Sequence, residues 1–456
     1  MDLTSRLRSI VRPAGGGSSP PIRELTYEPD TGRYEATIDL DRVADVLGGT
    51  IVTNGFGRAL VIDRRYESDR FHGARRVGEC DVADDETLRL LDPSLPPAAG
   101  AAGRTIFVDL ETTGLSGGAG TVAFLVGCGW FDMGAFQVRQ FLLASYAHER
   151  ALLDAVAACF DAATLLVTYN GKTFDVPVME TRWMFHRMRM PLESVRHFDM
   201  LHPARRLWRG RDSSPDEGGC RLATLERVLC DVRRVGDVPG LEIPGRYFRF
   251  LRSGDARPLE PVLEHNRLDL ISLAAVSAHA VQLVEEGHPR CRDAAEAIAL
   301  GRVFERAGCG ERACAAFRSA AADGRASADV RGEALYRLGL RLRRDRRYAD
   351  AADCWRQLLA LPPDRSRRHA HALPALLPAL RQFAVEALAI HHEHRERDYE
   401  GARDLALQLL EQEDDWTRPS AAPAGGRKGD ATRHRLARLE KKIARRNDSH
   451  LFGGCG

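Results

Sequence analysis

Two carboxylates stand two residues apart in Thr105-Ile-Phe-Val-Asp-Leu-Glu-Thr-Thr-Gly-Leu115, at Asp109 and Glu111. Residues 105–108 are β-branched or aromatic, the composition of a buried strand. Side chains two apart on a strand point to the same face, so the two acids lie side by side. Neighbouring carboxylates repel each other unless a cation sits between them. Hard ions such as Mg²⁺ take carboxylate oxygens together with the phosphate oxygens of a substrate. An Asp-x-Glu pair closing a buried strand, then Thr112, Thr113 and Gly114 in a turn, points to metal-assisted phosphate chemistry. Alone the pair is a weak motif and needs partners elsewhere in the chain.

Further acids answer it. Asp175 closes Asn170-Gly-Lys-Thr-Phe-Asp175 after a strand at 164–169 and opens a helix carrying Val178, Met179 and Trp183. It fits a metal ligand, and equally an acid placed at the positive end of a helix. Asp199 ends a strand-like segment and precedes Pro203, where a turn or cap role outweighs that of a ligand. Residues 261–286 carry a long helical pattern in which His265 and Asp269 are i, i+4 and share a face. Asp269 could reach a metal and His265 an attacking water; the alternative is a solvent-facing pair. Lys172, the only lysine in the first 427 residues, lies between Asn170 and Asp175. Arg205, Arg206, Arg209 and Arg211 surround Trp208, a mixture suited to phosphate contact and base stacking. Because almost every basic residue in this chain is arginine, an arginine cluster carries less weight here than elsewhere.

In sequence order, Asp109-Leu-Glu111, Asn170-x-x-x-Phe-Asp175 and His265-x-x-x-Asp269 resemble the three exonuclease motifs of the DEDD superfamily. More narrowly, Asn-Gly-Lys-x-Phe-Asp with His-Asn-x-x-Asp is similar to the bacterial YprB-like group of ribonuclease H-like proteins, which often carry tetratricopeptide repeats. The resemblance spans about residues 100–287. It implies an α/β fold with a mixed five-stranded sheet flanked by helices, followed by an α-helical repeat domain. It also implies two divalent cations, Mg²⁺ or Mn²⁺, held by Asp109, Glu111, Asp175 and Asp269, with His265 handling the proton of the attacking water. The implied activity is exonucleolytic, in the 3′–5′ direction, on single-stranded nucleic acid or a free end. Thr112, Asn170, Lys172, Arg205 and Arg206 are the candidate substrate contacts. One departure stands out. The family has Tyr with three intervening residues, or His with four, before the last Asp, whereas here His has three. A catalytically inactive adaptor on the same fold is the rival reading.

The elements that must position these residues follow from the rest of the chain. A length of 456 residues fits about three domains. Residues 1–22 read as a flexible arm and 23–92 as a small α+β region with a hairpin at 50–62. A Pro/Ala/Gly linker leads into a unit at 101–287, and residues 1–287 are expected to fold without the repeats. The glycine-rich turn after Glu111 lacks the Gly-Lys-Ser/Thr ending of a phosphate-binding P-loop. Residues 233–254 read as an irregular aromatic rim for substrate. Small and aromatic residues recur through 290–416 as helix pairs, a docking surface for protein more than for nucleic acid. His391, His392 and His394 read as a solvated helix face rather than a metal cluster. A linker and a basic helix fill 417–456, the helix set either to lie on nucleic acid or to dock on the protein.

The net charge of +2 supplies no global field for polyanions, so any nucleic-acid contact must be a local patch. The 10 cysteines lack zinc-ligand spacing and fit reduced thiols in the cytoplasm. No signal peptide or membrane span is expected.

Overall fold

A computed structural model describes residues 38–81, 84–98, 100, 103–114, 120–209, 220–362, 376–416 and 426–452. The N-terminal arm, Gly117 and Gly118 of the glycine-rich turn, and residues 210–219, Arg211 among them, lie outside these. So do Pro363, Pro374 and the linker at 417–425.

The mixed sheet expected from the sequence is present and is two strands wider than the five anticipated. Its strands are β1 (Thr50–Asn54), β2 (Gly57–Tyr66), β5 (Arg104–Thr112), β6 (Ala123–Asp132), β7 (Ala135–Leu142), β8 (Ala163–Thr168) and β9 (Arg196–Asp199). A short ribbon of β3 (Phe71–His72) and β4 (Arg75–Arg76) stands apart. The sheet order is β1-β2-β7-β6-β5-β8-β9. Pairing is antiparallel from β1 to β5, and parallel among β5, β8 and β9. The extra width comes from the N-terminal hairpin, because β2 pairs along β7 from Leu60–Leu142 to Tyr66–Phe136. Asp109 and Glu111 lie within β5 rather than beyond its end. The tight β6–β7 turn uses Met133 and Gly134, both at positive φ, the geometry that matches strand twist in a two-residue hairpin.

Helices cover the sheet. They are α1 (Leu40–Leu47), α2 (Asp85–Leu91), α3 (Glu149–Ala157), α4 (Asp175–Phe185), α5 (Leu201–Trp208), α6 (Leu222–Cys230), α7 (Ile243–Ser253) and α8 (Glu260–Glu286). The second half of α8 is mostly apolar and almost wholly buried, as a central core helix should be. By length and composition it is also the one described helix that could cross a membrane, yet most of it is enclosed by the protein itself.

The repeats form three helix pairs: α9 (Ala294–Arg306) with α10 (Gly310–Ala322), α11 (Ala328–Arg344) with α12 (Tyr348–Ala360), and α13 (Leu376–His391) with α14 (Tyr399–Trp416). Glycine sets the close approaches. A Cβ on Gly301 would fall 2.5 Å from the Phe317 ring, and one on Gly339 2.5 Å from the Trp355 indole. The last helix, α15 (Gly426–Phe452), docks on the protein: Leu439 is buried, and Arg438 and Lys442 pair with the buried Glu393 at 2.8 Å. Glu393 therefore belongs to a structural latch, not to a solvated face.

One apolar core extends from sheet residues such as Phe107 and Val167 through α8 and on to Leu300, Phe317 and Trp355 of the repeats. The boundary expected at residue 287 thus crosses continuous packing.

Candidate metal-dependent active site

The parallel strands β5, β8 and β9 end at one edge, the usual place for a site in such sheets. Asp109 and Glu111 project from β5 on one face. Asp175, at the start of α4, is 5% exposed and takes a backbone hydrogen bond at Leu110, between those two acids. From α8, Asp269 completes the group; its charge is felt at Asp109, Glu111 and Asp175 alike. Four carboxylates separated by up to 160 residues of chain thus meet at the end of one strand.

Their electrostatics follow from crowding. Burial, then Asp269, Glu111 and Asp175, push Asp109 well above the usual carboxylate range. Burial, then Asp269 and Asp175, do the same to Glu111. Asp175 is raised to about 7, first by burial and further by Asp199 and Asp269, against the lowering effect of backbone hydrogen bonds.

Asn266 fixes the orientation of Asp109. Its Nδ2 donates to Asp109 Oδ2 at 2.8 Å and to the Asp109 carbonyl at 3.1 Å. The Asn266 oxygen accepts from Gln140 Nε2 at 2.7 Å, and Gln140 Oε1 from Arg267 at 3.1 Å. Gly127 faces Asp109 across the β5–β6 ladder, and its missing side chain leaves the room that Asn266 occupies.

A second group closes the other side. Arg234 binds the buried Glu226 through two bonds of 2.6 and 2.7 Å, Asp237 at 3.1 Å and Asp269 at 2.5 Å. Burial opposes its charge, but Glu226 and Asp269 hold the guanidinium protonated more firmly than usual. His265 Nδ1 lies 2.7 Å from Asp237 Oδ1, and its Nε2 3.5 Å from Asp269 Oδ2. Burial alone would raise Asp237; the hydrogen bond from His265 and the Arg234 charge lower it instead.

A model of the ribonuclease H superfamily matches residues 106–281, the stretch that holds all four acids and His265. The chain is 31% identical to the uncharacterized protein YprB of Bacillus subtilis (strain 168) over 340 residues, 74% of this chain and 75% of that protein. The chain belongs to the YprB family. The seven-stranded mixed sheet with its helical C-terminal region is thus a YprB-family, ribonuclease H-like architecture.

The other sequence candidates of this YprB-family chain are distributed differently. Asp199 is fully buried and accepts from the backbone N–H groups of Asn170 at 2.8 Å, Lys172 at 3.0 Å and Leu201 at 3.1 Å. It holds the loop that delivers Asp175. Asn170 adopts positive φ, which asparagine tolerates, and its side chain accepts from Thr173 Oγ1 at 2.7 Å. Thr112 Oγ1 donates to the Gly114 carbonyl at 2.8 Å and shapes the turn. Lys172 Nζ reaches Asp92 at 3.1 Å. Arg205 and Arg206 lie on α5, in a groove shared with the repeats.

Two expectations about the surroundings are corrected. Trp208 does not offer a face to a base: it is fully buried and donates its indole N–H to Glu296 at 2.7 Å. The stretch 233–254 is no irregular rim. Its second half is α7, with Tyr247 stacked on Phe124 at 4.0 Å and donating to the Leu143 carbonyl at 2.9 Å. Arg234, Asp237, Asn266 and Gly127 escaped the sequence reading; Asn266 stood inside the quoted His265–Asp269 motif, and the others had no motif to mark them.

Proposed function

We propose that this protein is a metal-dependent nuclease that hydrolyses phosphodiester bonds as an exonuclease. The observation that carries the reading is the meeting of Asp109, Glu111, Asp175 and Asp269, with three of them pushed above the normal carboxylate range. Such a donor set, all oxygen and repelling itself, fits hard dications. Mg²⁺ or Mn²⁺, two ions by resemblance to the DEDD group, would be held by these four carboxylates. When bound, they supply a water of lowered pKa and stabilise charge on the leaving oxygen.

The remaining work falls to the chain. With Nδ1–H donated to Asp237, the neutral His265 ring keeps Nε2 as a proton acceptor directed to the Asp269 side of the cleft. His265 there takes the proton of an attacking water, and Asp237 orients the ring. Asn266 keeps Asp109 from rotating. Substrate would be DNA or RNA entering as a single strand or a free end, with 3′–5′ polarity by resemblance. The helix pairs serve as tetratricopeptide-type repeats in a cytoplasmic protein.

One observation favours a second reading, a silent nucleic-acid-binding adaptor: Arg234 already gives Asp269 a cationic partner. Incubation of 5′- and 3′-labelled single- and double-stranded DNA and RNA with Mn²⁺ or Mg²⁺ decides between them. The nuclease reading expects stepwise shortening from one end, lost in Asp109→Asn and Asp175→Asn. No cleavage of any of these substrates under either metal leaves the adaptor.

A further inference from the structure

Arginines line a groove that runs from the sheet unit into the repeats. Arg205 and Arg206 of α5, with Arg209 just past its end, face the first repeat helix. On α9, Arg302 and Arg306 are i, i+4 and therefore share one face. On α11, Arg337, Arg341 and Arg344 follow at steps of four and three and share a face. Two cavities, of about 650 and about 450 Å³, lie along this line, and Arg302 and Arg306 line both, so the groove is continuous.

Its charge is one-sided. The two linings contain eight arginines and only two acids, Glu305 and Glu333, in a chain whose 66 basic and 64 acidic residues nearly cancel. Arginine bias alone does not produce that ratio. Arg337 and Arg341 have carboxylate partners at 2.8 Å, in Glu333 and Asp345. Arg205, Arg209, Arg302, Arg306 and Arg344 have none among the described residues. Burial and the Arg306 charge hold the Arg206 guanidinium below its ordinary value, which places these like charges within mutual reach.

The groove also has an address. Helix α5 begins two residues after Asp199, which shapes the Asp175 loop. Lys172, on that loop, pairs with Asp92, whose charge acts on Arg206. Packing fixes the junction, since Trp208 of α5 is hydrogen-bonded to Glu296 of α9.

We propose that this arginine groove is a track for the phosphate backbone of single-stranded nucleic acid leading to the four-carboxylate site. The proposal rests on the nuclease reading for its direction of travel, while binding itself can be tested without catalysis. Guanidinium forks contact phosphate oxygens without reading bases, so binding should be sequence-tolerant and strongly salt-dependent.

The test uses the full chain in EDTA and a fluorescent oligothymidylate of about 20 nucleotides, longer than one binding module usually covers. Arg302→Glu/Arg306→Glu is compared with wild type and with Arg42→Glu/Arg325→Glu; all four positions are exposed. The groove variant should bind at least about tenfold more weakly, and its slope of log affinity against log salt should flatten by about 1.4, two phosphate contacts on a single strand. The control pair should match wild type. Hydrolysis of thymidine 5′-(p-nitrophenyl phosphate) with Mn²⁺, too small to fill the groove, should be unchanged. Equal affinity and slope in the groove variant and wild type overturn the proposal. So does poly-glutamate competing as well as the oligonucleotide at equal charge, which would make the groove a protein-docking surface. If wild type hydrolyses nothing yet shows the groove-dependent binding, the track stands and only the nuclease reading falls.

Discussion

The amide of Asn266 occupies the space that a side chain on Gly127 would need: an added Cβ would lie 2.2 Å from Asn266 Oδ1. The glycine on β6 and the asparagine on α8 thus act as a pair whose product is a fixed rotamer of Asp109. Gly127→Ala should displace Asn266, at an overpacking cost of about 1–3 kcal/mol, and lower turnover. Asn266→Ala alone should reproduce the turnover loss. Adding Asn266→Ala to Gly127→Ala should restore melting temperature, because the methyl group gains room, without restoring activity. Additive stability losses in the double variant would refute the pairing.

Arg234 neutralises acids that the substrate chemistry would load with cations. Its removal leaves the buried Glu226 uncompensated, and breaking a buried pair in this way costs about 3–5 kcal/mol. Arg234→Ala should therefore melt well below wild type in EDTA. Its rise in melting temperature on adding Mn²⁺ should exceed that of wild type, since Asp269 is freed for the ion. Calorimetry of both proteins with and without Mn²⁺ measures this, and equal shifts would detach Arg234 from the site.

Asp175 titrates near 7 in the folded protein because of its burial and acidic neighbours, and Asp109 and Glu111 are also raised. Folding thus tightens proton binding. The associated stability is full below the unfolded value, ~3.9 for Asp, and is lost as pH rises to the folded value. In EDTA, Asp175→Asn should gain stability over wild type at about pH 8 and much less at about pH 5.5. The difference between the proteins is the readout, because buried His72, His197 and His279, each lowered to about 4, pull wild type the opposite way. A pH-independent difference would contradict the crowding of these acids.

His265 and Asp237 should separate in kinetics. A proton-transfer group contributes about 10²- to 10⁴-fold, so His265→Ala should reduce turnover by that order with KM little changed. Asp237→Asn, which keeps the shape but weakens the orienting bond, should cost about 10- to 100-fold, as orienting partners do. Unchanged turnover in Asp237→Asn would leave His265 without its orienting partner in catalysis.

The strands and the four acids were readable because their signals are local. Residues 105–108 are a short β-branched and aromatic run of the kind buried strands use, and each acid stands next to such a run or on a periodic helix. Arg234 and Asp237 were not readable. They lie about 30 residues before Asp269 in a stretch without periodicity, and only the tertiary fold returns them to it. The misread rim had a usable signal: Ile243, Tyr247 and Phe250 are spaced as one helix face, and all three are buried. The hairpin at β1–β2 was visible as a hairpin, but its partner β7 lies some 75 residues on, and edge pairing leaves no mark in either strand.

Helix α8 spans 27 residues, about 40 Å of unbroken rod. Its first half bears His265, Asn266 and Asp269, and its second half belongs to the same continuous apolar core as Leu300 and Phe317 of the repeats. A chain cut after residue 287 would remove part of that shared core, so the shortened protein should aggregate or bind a hydrophobic dye, as light scattering and dye fluorescence would reveal. Anyone wishing to exchange the repeats for another binding array would therefore be grafting onto a shaft already shared with the cutting edge, with no joint along it at which the two could be uncoupled.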